Sequence, residues 1–362
     1  MLRSLVGSEM CIRDSSLAWV ARQCRPDLSY RVSKMQSSAG AGCMVQDLKE
    51  ANQILEYAKE TSDRGITFKA GAIDWNDMVM AAISDASFAQ EKEVVPALEE
   101  AGAKGPEKYR SQGGRLNCLA TPSLLDGEEG HIHVIGFGST KVKRVCRSTF
   151  QAETYALSQA VEWGDFLRAA VADLFGKLDI TRWYESSCAA LRQVWFTDCN
   201  SNREAMLNPN GQKYADKRMN IEIAGLRQIL WRSPGEALGL PHVEDERPDN
   251  VTDIVRWIDT DVMLADPMTK IMEPDKLIAA MESGYWNIEQ PIESVIKKRA
   301  KQLARSKSKN RARQDDEDPS GDDPMESGYI HYIIHTPECV DNADEMDHDF
   351  IDEWEWSPIE LL

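Results

Sequence analysis

The chain has 362 residues, 42% of them hydrophobic, and a formal net charge of −18. This length predicts about two domains. The sequence contains no run of 18 apolar residues, so we expect no membrane span. The charge is uneven, because residues 315–362 contain 17 acidic and no basic residues, whereas residues 297–313 contain nine basic and no acidic ones. Residues 1–296 are therefore only mildly acidic, and net charge does not exclude a nucleic-acid partner.

The eight cysteines are scattered without C-x-x-C spacing. This distribution argues against a disulfide framework or a zinc site and favours a reducing compartment. We therefore expect an intracellular protein, cytoplasmic or nuclear, with no membrane partner. Residues 1–15 lack the apolar core of a signal peptide and do not connect smoothly to residue 16 and beyond, so we interpret them as a non-native or unstructured start.

Residues 16–70 are expected to be mainly helical, with one helix opening at Pro26 and a second running from Val45 to Glu60. Gly65 ends this unit, and the segment Ile66–Ala70 could form a strand. We predict a second domain over residues 71–285.

The second domain begins with three predicted strands. A nearly continuous apolar run, Met78–Phe88, fits a strand that is buried on both faces. Residues 91–112 are charged and rich in Gly and Pro, which predicts a long loop. Two further strands come next, Gly114–Ala120 and His133–Thr140, and antiparallel hairpins are the simplest connection.

Helices and strands then alternate. An S-x-x-Q capping box, Ser148 to Gln151, predicts a helix that continues to about Leu174. The later elements are a strand at Val194–Thr197, a short helix opened by a second capping box at Ser201–Glu204, a helix at Lys217–Trp231, a strand at Ile254–Ile258, and a closing helix at Asp266–Pro267. This order predicts an α/β fold, a mixed five-stranded sheet with flanking helices. We interpret residues 286–314 as a basic helix or linker and residues 315–362 as a disordered acidic tail.

Four carboxylates stand where predicted strands end or helices begin: Asp85 in AAISDASFA, Glu153 in STFQAETYAL, Asp198 in VWFTDCNS and Asp266 in MLADPMTK. Each has an ordinary interpretation when taken singly. Asp85 and Asp198 could turn the chain, Glu153 could sit favourably near a helix start, and Asp266 before Pro could cap a helix.

Taken together, the four acids indicate a metal site. Carboxylates that converge repel one another unless a cation lies among them, and oxygen ligands without Cys or His favour Mg²⁺ or Mn²⁺. Two such ions, roughly 3.5–4 Å apart, are typical of phosphodiester cleavage. The sequence thus predicts a nuclease with Asp85, Glu153, Asp198 and Asp266 as metal-binding and catalytic residues.

The ordered segments ISDASFA, RSQGG, FGSTKVKRVCRSTFQAETYALSQAVEW, WFTDCNS and DTDVMLADPMTK resemble the ribonuclease H domain of copia-type LTR retrotransposon polyproteins. Residues 16–70 resemble the last helices of the preceding reverse transcriptase. The resemblance implies a ribonuclease H-like fold, two Mg²⁺ ions held by the four acids, and hydrolysis of the RNA strand of RNA–DNA hybrids. It also implies that Asp85 and Asp198 share ligation, that Glu153 serves the ion nearer the leaving group, and that Asp266 serves the ion nearer the nucleophile.

The chain departs from that family at three places. The catalytic Asp pair of the polymerase is absent, so polymerisation is not expected. No His occurs in MNIEIAGLRQIL, where the family often has one, and Gln151 stands where the family often has Glu.

Substrate contacts are expected from a basic hairpin just before the Glu153 helix and from the helix after Asp198. The candidates for nucleic-acid binding are Ser139, Lys141, Lys143, Arg144, Arg147 and Asn200. A solvated hairpin edge guarded by Lys is the alternative for the hairpin.

Two other functions stay open. The chain could be a transposon-derived protein that binds nucleic acid without turnover. It could also be an interaction protein whose acidic, Trp-bearing tail binds an unknown protein partner. A separate hypothesis concerns the nuclease itself: its acidic tail could occupy the basic run or the cleft and weaken substrate binding.

Overall fold

A mixed six-stranded sheet forms the centre of the molecule in the computed structural model, which describes residues 15–38, 45–93, 108–208, 214–230 and 253–288. The strands lie in the order β5-β4-β1-β2-β3-β6. Their bounds are Val79–Glu93 (β1), Lys108–Ala120 (β2), Gly130–Lys141 (β3), Gln193–Thr197 (β4), Ile254–Trp257 (β5) and Tyr285–Trp286 (β6). Strand β1 pairs antiparallel with β2 and parallel with β4, so the sheet changes type on either side of β1.

Eight helices accompany the sheet within the described ranges. They are α1 (15–23), α2 (Ser29–Ser38), α3 (Val45–Glu60), α4 (Thr149–Leu174), α5 (Trp183–Ala190), α6 (Asn200–Leu207), α7 (Lys217–Leu230) and α8 (Asp275–Ser283). The predicted α/β fold class, a mixed sheet with flanking helices, is confirmed, with β6 as an additional two-residue strand beside β3.

The two faces of the sheet are covered by different elements. On one face, alternate residues of β1 such as Ala81 and Ile83 pack with Met268 and with Leu277 of α8. On the other face, Ala82 packs with Leu157 of α4 and with residues of α7. Side chains alternate between faces along a strand, so each strand contributes to both layers.

Helix α4 begins where the sequence predicts. The Ser148 hydroxyl accepts a hydrogen bond from the Gln151 amide at 3.2 Å, which satisfies one of the free N–H groups of the first turn. The Gln151 side chain turns back and accepts from the Arg147 amide at 2.8 Å. The predicted cap is confirmed, and it fixes the orientation of the first turns of α4.

Several local predictions are wrong. Ile66–Ala70 is not a strand, and part of the predicted loop 91–112 extends strands β1 and β2, because paired backbone offsets its charged composition. Helix α6 is preceded by Cys199 without a side-chain cap, so Ser201 is not its cap. The Asp266–Pro267 pair opens only one turn of 3₁₀ helix, Asp266–Met268, and the closing helix α8 starts at Asp275.

The first three helices pack together around Leu28, Val32 and Ile54. They belong to the same compact unit as the sheet, and the Gln112 amide on β2 donates to the Ser33 hydroxyl on α2 at 3.0 Å. No helix among the described residues is long and apolar enough to cross a membrane. Outside the described residues lie the predicted start 1–15 except residue 15, the predicted basic segment 286–314 except residues 286–288, and the predicted acidic tail 315–362. The predicted basic segment starts at Trp286, which belongs to β6.

A buried ion-pair network joins α4 to the chain just before β5. The Arg168 guanidinium is fully buried and donates to both carboxylate oxygens of Asp253, at 2.8 and 3.1 Å. Asp253 also accepts from the Gln193 amide of β4 at 3.1 Å. The network therefore ties α4, β4 and β5 together beneath the surface.

We predict that Asp253→Asn lowers the free energy of unfolding by about 3 kcal/mol, because the buried Arg168 guanidinium then keeps only one charged partner, Asp165, at 2.6 Å. Urea denaturation measures the change. Glu162→Gln, an exposed acid on the same helix, is the control and should stay within about 0.5 kcal/mol of the parent. Equal stability of the two variants would contradict the assignment.

Candidate metal centre

Three aspartates from distant parts of the chain meet at one edge of the sheet. One carboxylate oxygen from each of Asp85, Asp198 and Asp266 lies within 4.8 Å of the other two. Asp85 and Asp266 are buried and Asp198 is partly buried. Oxygen atoms this close on three acids are suitable ligands for a hard divalent cation.

The register of the parallel strands brings the first two acids together. Ile83 of β1 is level with Phe196 of β4, so Asp85 and Asp198, each two residues further on, reach the same edge. Asp198 follows the end of β4, and the carboxyl ends of parallel strands are where open α/β sheets usually bind ligands.

The third acid is delivered by the 3₁₀ turn Asp266–Met268, which lies directly on β2. A Cβ atom at Gly114 would come within 2.9 Å of Met268 Cβ and Thr269 Cγ2. Only a residue without a side chain allows this approach. The Ser139 hydroxyl on β3 holds the same turn by donating to the Met268 carbonyl at 2.5 Å.

Hydrogen bonds orient the aspartates. The Thr269 hydroxyl contacts Asp85 Oδ2 and lies 2.9 Å from the Asp266 carbonyl. The Thr260 hydroxyl donates to Asp198 Oδ2 at 2.8 Å, and Lys270 Nζ donates to Asp266 Oδ1 at 2.7 Å. Partners of this kind fix the orientation of metal-binding carboxylates.

Glu153 lies beside the three aspartates but outside the tightest group. It stands on the second turn of α4 with a side chain that is almost completely buried, and its Oε2 has no hydrogen-bond partner among the described residues. A buried carboxylate oxygen without a partner is costly unless a cation or a proton satisfies it. Its position is therefore consistent with a ligand that completes the set.

The electrostatics of the site reflect a shortage of positive charge. Burial, followed by the charges of Asp266 and Asp198, raises the pKa of Asp85 to about 7, although Thr269 and Lys270 oppose the shift. Burial and then the Asp85 charge raise the pKa of Glu153 well above its usual value, and burial raises the pKa of Asp198.

Lys270 supplies part of the missing positive charge. Burial opposes its charged form, but the hydrogen bond to Asp266 and the nearby aspartates raise the pKa of its ammonium group. One ammonium group facing four acids leaves an excess of negative charge. The donor set and its charge therefore fit a divalent cation, which all four acids could bind.

The predicted nucleic-acid contacts have different environments. Ser139 is buried and bonded to the Met268 carbonyl and the Gln112 amide. Lys141 is half-buried, whereas Lys143 and Arg147 are exposed. The Arg144 guanidinium lies 5.3 Å from the centroid of the Tyr155 ring and pairs with Glu222 of α7. Asn200 donates to Glu204, one turn along α6. Their roles toward nucleic acid stay predictions.

Four residues of the site are not assigned by the sequence patterns: Gly114, Thr260, Thr269 and Lys270. Gly114 belongs to the RSQGG segment, Thr260 to DTDVMLADPMTK, and Thr269 and Lys270 follow Asp266 in that same segment, so each lies inside a motif that carries the family resemblance. Their contacts depend on how strands and turns meet in space, and spacing along the chain does not reveal that.

No protein-family model matches the chain, and no curated protein matches it. Among solved structures, the chain is similar to LC11-RNase H1, which was isolated from compost by a metagenomic approach. The sequence identity is 12% and the TM-score is 0.28, with 54% of this chain and 93% of that chain covered. The fold is defined by the strand order and pairing of the chain itself.

We predict that Gly114→Ala displaces the turn that carries Asp266. The variant should lose about 1–3 kcal/mol of stability, because an added methyl group in a packed contact forces neighbouring atoms apart, and it should bind Mn²⁺ more weakly. Gly113→Ala is the matched control, since its Cβ would have no neighbour closer than 3.5 Å. Urea denaturation and Mn²⁺ titration measure both effects, and identical behaviour of the two variants would contradict this role.

We also predict a pH dependence of stability in the absence of metal. The pKa of Asp85 rises from 3.8 to about 7 on folding, so the native state binds this proton more tightly and loses stability as pH rises through this interval. Asp85→Asn should therefore be more stable than the parent at pH 8 in EDTA, by on the order of 3 kcal/mol, and should differ less at pH 4.

Urea midpoints at pH 4, 6 and 8 test this expectation, with the exposed Asp173→Asn as the control. A loss of stability in Asp85→Asn at pH 8 would contradict it.

Proposed function

We propose that this protein is a metal-dependent endonuclease that hydrolyses the RNA strand of RNA–DNA hybrids. The observation that carries the proposal is the approach of Asp85, Asp198 and Asp266 to within 4.8 Å. Acids drawn from separate elements to one sheet edge destabilise a protein unless a cation offsets their charge. Metal-assisted phosphodiester hydrolysis is the chemistry that this ligand set serves best.

Asp85, Asp198, Asp266 and Glu153 would hold Mg²⁺ or Mn²⁺, and we propose two ions. When bound, the metal lowers the pKa of a coordinated water and neutralises the charge that develops on the phosphate. Among oxygen-only sites, Mg²⁺ and Mn²⁺ are the expected divalent ions.

The chain's own residues hold the acids ready for that role. Thr269 and Thr260 fix the orientation of the Asp85 and Asp198 carboxylates. Lys270 fixes the orientation of the Asp266 carboxylate by donating to Oδ1. Glu153 projects from a helix whose first turn is fixed by the Ser148 cap, so its carboxylate needs little reorganisation to reach a cation.

We infer that the substrate approaches along the end of β3 and the segment before α4. Lys141, Lys143, Arg144 and Arg147 would contact phosphates there, and Arg144 is already oriented by Glu222 and Tyr155. Asn200 and Ser201 are the candidates for sugar contacts, since the 2′-hydroxyl is the group by which a protein distinguishes RNA from DNA. The motif resemblance supports a retrotransposon polyprotein as the context, with 16–70 as a reverse transcriptase remnant and 71–285 as the nuclease domain.

The second candidate is a transposon-derived protein that binds nucleic acid without cleaving it. It is favoured by one observation, the absence of His from the sequence of α7, where Met219 and Ile223 are buried. In that case the four acids would be present in the site, but the protein would not hydrolyse the nucleic acid that it binds. The two candidates differ in whether the RNA strand of a hybrid is cleaved, and a cleavage assay measures this directly.

We predict that the protein cleaves the RNA strand of a labelled RNA–DNA hybrid with Mg²⁺ or Mn²⁺ and not in EDTA. Asp85→Asn and Asp198→Asn should abolish product formation, because each removes a charged ligand, whereas the exposed Asp173→Asn should cleave like the parent. Denaturing gel electrophoresis measures the product. If the protein binds the hybrid but cleaves it in neither Mg²⁺ nor Mn²⁺, this result would exclude the nuclease and favour the second candidate.

A further inference from the structure

A groove separate from the acids lies where the end of α1 meets the sheet. Its volume is about 530 Å³, and its lining includes Arg22, Phe68, Arg115, Phe137, Trp163 and Leu167. We call it the Trp163 groove. Among the described residues that line it there are two arginines and no Asp or Glu, which is unusual in a chain whose net charge is −18.

Arg115 is the most unusual residue of the Trp163 groove. Its guanidinium lies 4.5 Å from the centroid of the Trp163 ring. It rests on β3 at Gly138, where a Cβ atom would come within 2.5 Å of Arg115 Nη1. Glycine at this position therefore makes room for the guanidinium between the strand and the indole.

Within the described part of the chain, no ion pair joins Arg115 to a carboxylate, and its buried Nε has no hydrogen-bond partner. Burial alone lowers the pKa of this guanidinium to about 10, so it stays positive at neutral pH. A partly buried cation without a carboxylate partner is costly, and an anionic ligand at the guanidinium would relieve that cost.

Aromatic rings flank the cations. Trp163 is 44% exposed and Phe68 is 59% exposed, so each ring keeps accessible surface. Arg115 covers one face of the Trp163 ring, and His133 contacts the Phe68 ring in a T-shaped arrangement. Arg22, whose described contact is a weak hydrogen bond of 3.4 Å to Gln36, stands at the rim. Exposed rings for base stacking beside cations for phosphates are the combination by which proteins bind single-stranded nucleic acid.

The Trp163 groove does not belong to the acidic centre. Arg115 pairs across the sheet with Ser84, and the next pair is Gly114 with Asp85. Successive side chains on a strand point to opposite faces, so Arg115 faces α4 whereas Gly114 faces the turn that carries Asp266. A ligand in the groove would leave the four acids accessible.

We propose that the Trp163 groove binds a single-stranded segment of nucleic acid, with a base stacked on Trp163 and backbone phosphates on Arg115 and Arg22. This inference rests on the proposed function and deepens it, since it supplies a site for unpaired strand next to a hybrid. Binding in the Trp163 groove can be tested without cleavage, because it can be measured in EDTA, where a metal-dependent nuclease does not hydrolyse its substrate.

The test is fluorescence anisotropy of a labelled 12-nucleotide single strand with the full chain in EDTA. Trp163→Ala and Arg115→Gln should each weaken binding about tenfold, as expected for loss of one stacked base or one phosphate contact. The matched controls are Trp75→Ala, a ring that is 50% exposed elsewhere, and Arg182→Gln, an exposed arginine. Both controls should bind like the parent.

Three results with the labelled strand alone would overturn the proposal: no binding by the parent, parent-like affinity of Trp163→Ala and Arg115→Gln, or equal loss in the controls. Trp163→Phe, which keeps an aromatic face, should restore most of the affinity, and this separates stacking from misfolding. Adenosine monophosphate, titrated as a competitor, distinguishes a nucleic-acid strand from a free nucleotide as the ligand. If adenosine monophosphate binds as tightly as the strand, the proposal is overturned and the groove is assigned to free nucleotides. Hybrid cleavage in Mg²⁺, assayed separately, reports on the proposed function alone.

Discussion

The mutual repulsion of carboxylates at one edge of the sheet is the constraint on which the rest of the site depends. Burial and the neighbouring charges raise the pKa of Asp85 to about 7, so folding without a cation leaves either unfavourable charge or bound protons at this edge. Lys270 offsets part of the charge through Asp266. A divalent ion would offset much more, which makes metal binding and the stability of this edge two aspects of one interaction.

The fold creates that constraint through backbone contacts that leave little freedom. The parallel register of β1 and β4 fixes two of the aspartates, and the absence of a side chain at Gly114 lets the turn at Asp266 settle on β2. Ser139 closes the arrangement by donating to the Met268 carbonyl. Since each contact belongs to a different element, the site forms only when the sheet and its covering turn are complete.

Much of this arrangement can be predicted from the sequence, and the part that cannot has a physical reason. Asp85 lies within the apolar strand β1, Asp198 follows the apolar strand β4, and the Ser148 cap begins the helix that carries Glu153. Local patterns therefore predict the elements that carry these three acids. The Asp-Pro pattern predicts that Asp266 caps the closing helix, but tertiary contacts with β2 hold it in a single 3₁₀ turn. The roles of Gly114 and Thr269 depend on contacts between residues that are far apart in the chain, which periodicity does not encode.

The most direct test of metal binding at this edge is Mn²⁺ binding measured by electron paramagnetic resonance at pH 7.5, with the parent chain compared with a variant that lacks the charges of Asp85 and Asp198. We predict saturable binding to the parent chain and its loss in the variant, because the oxygens of these acids and Asp266 come within 4.8 Å of one another. Equal binding by both proteins, or no binding by either, would contradict a metal centre formed by these acids.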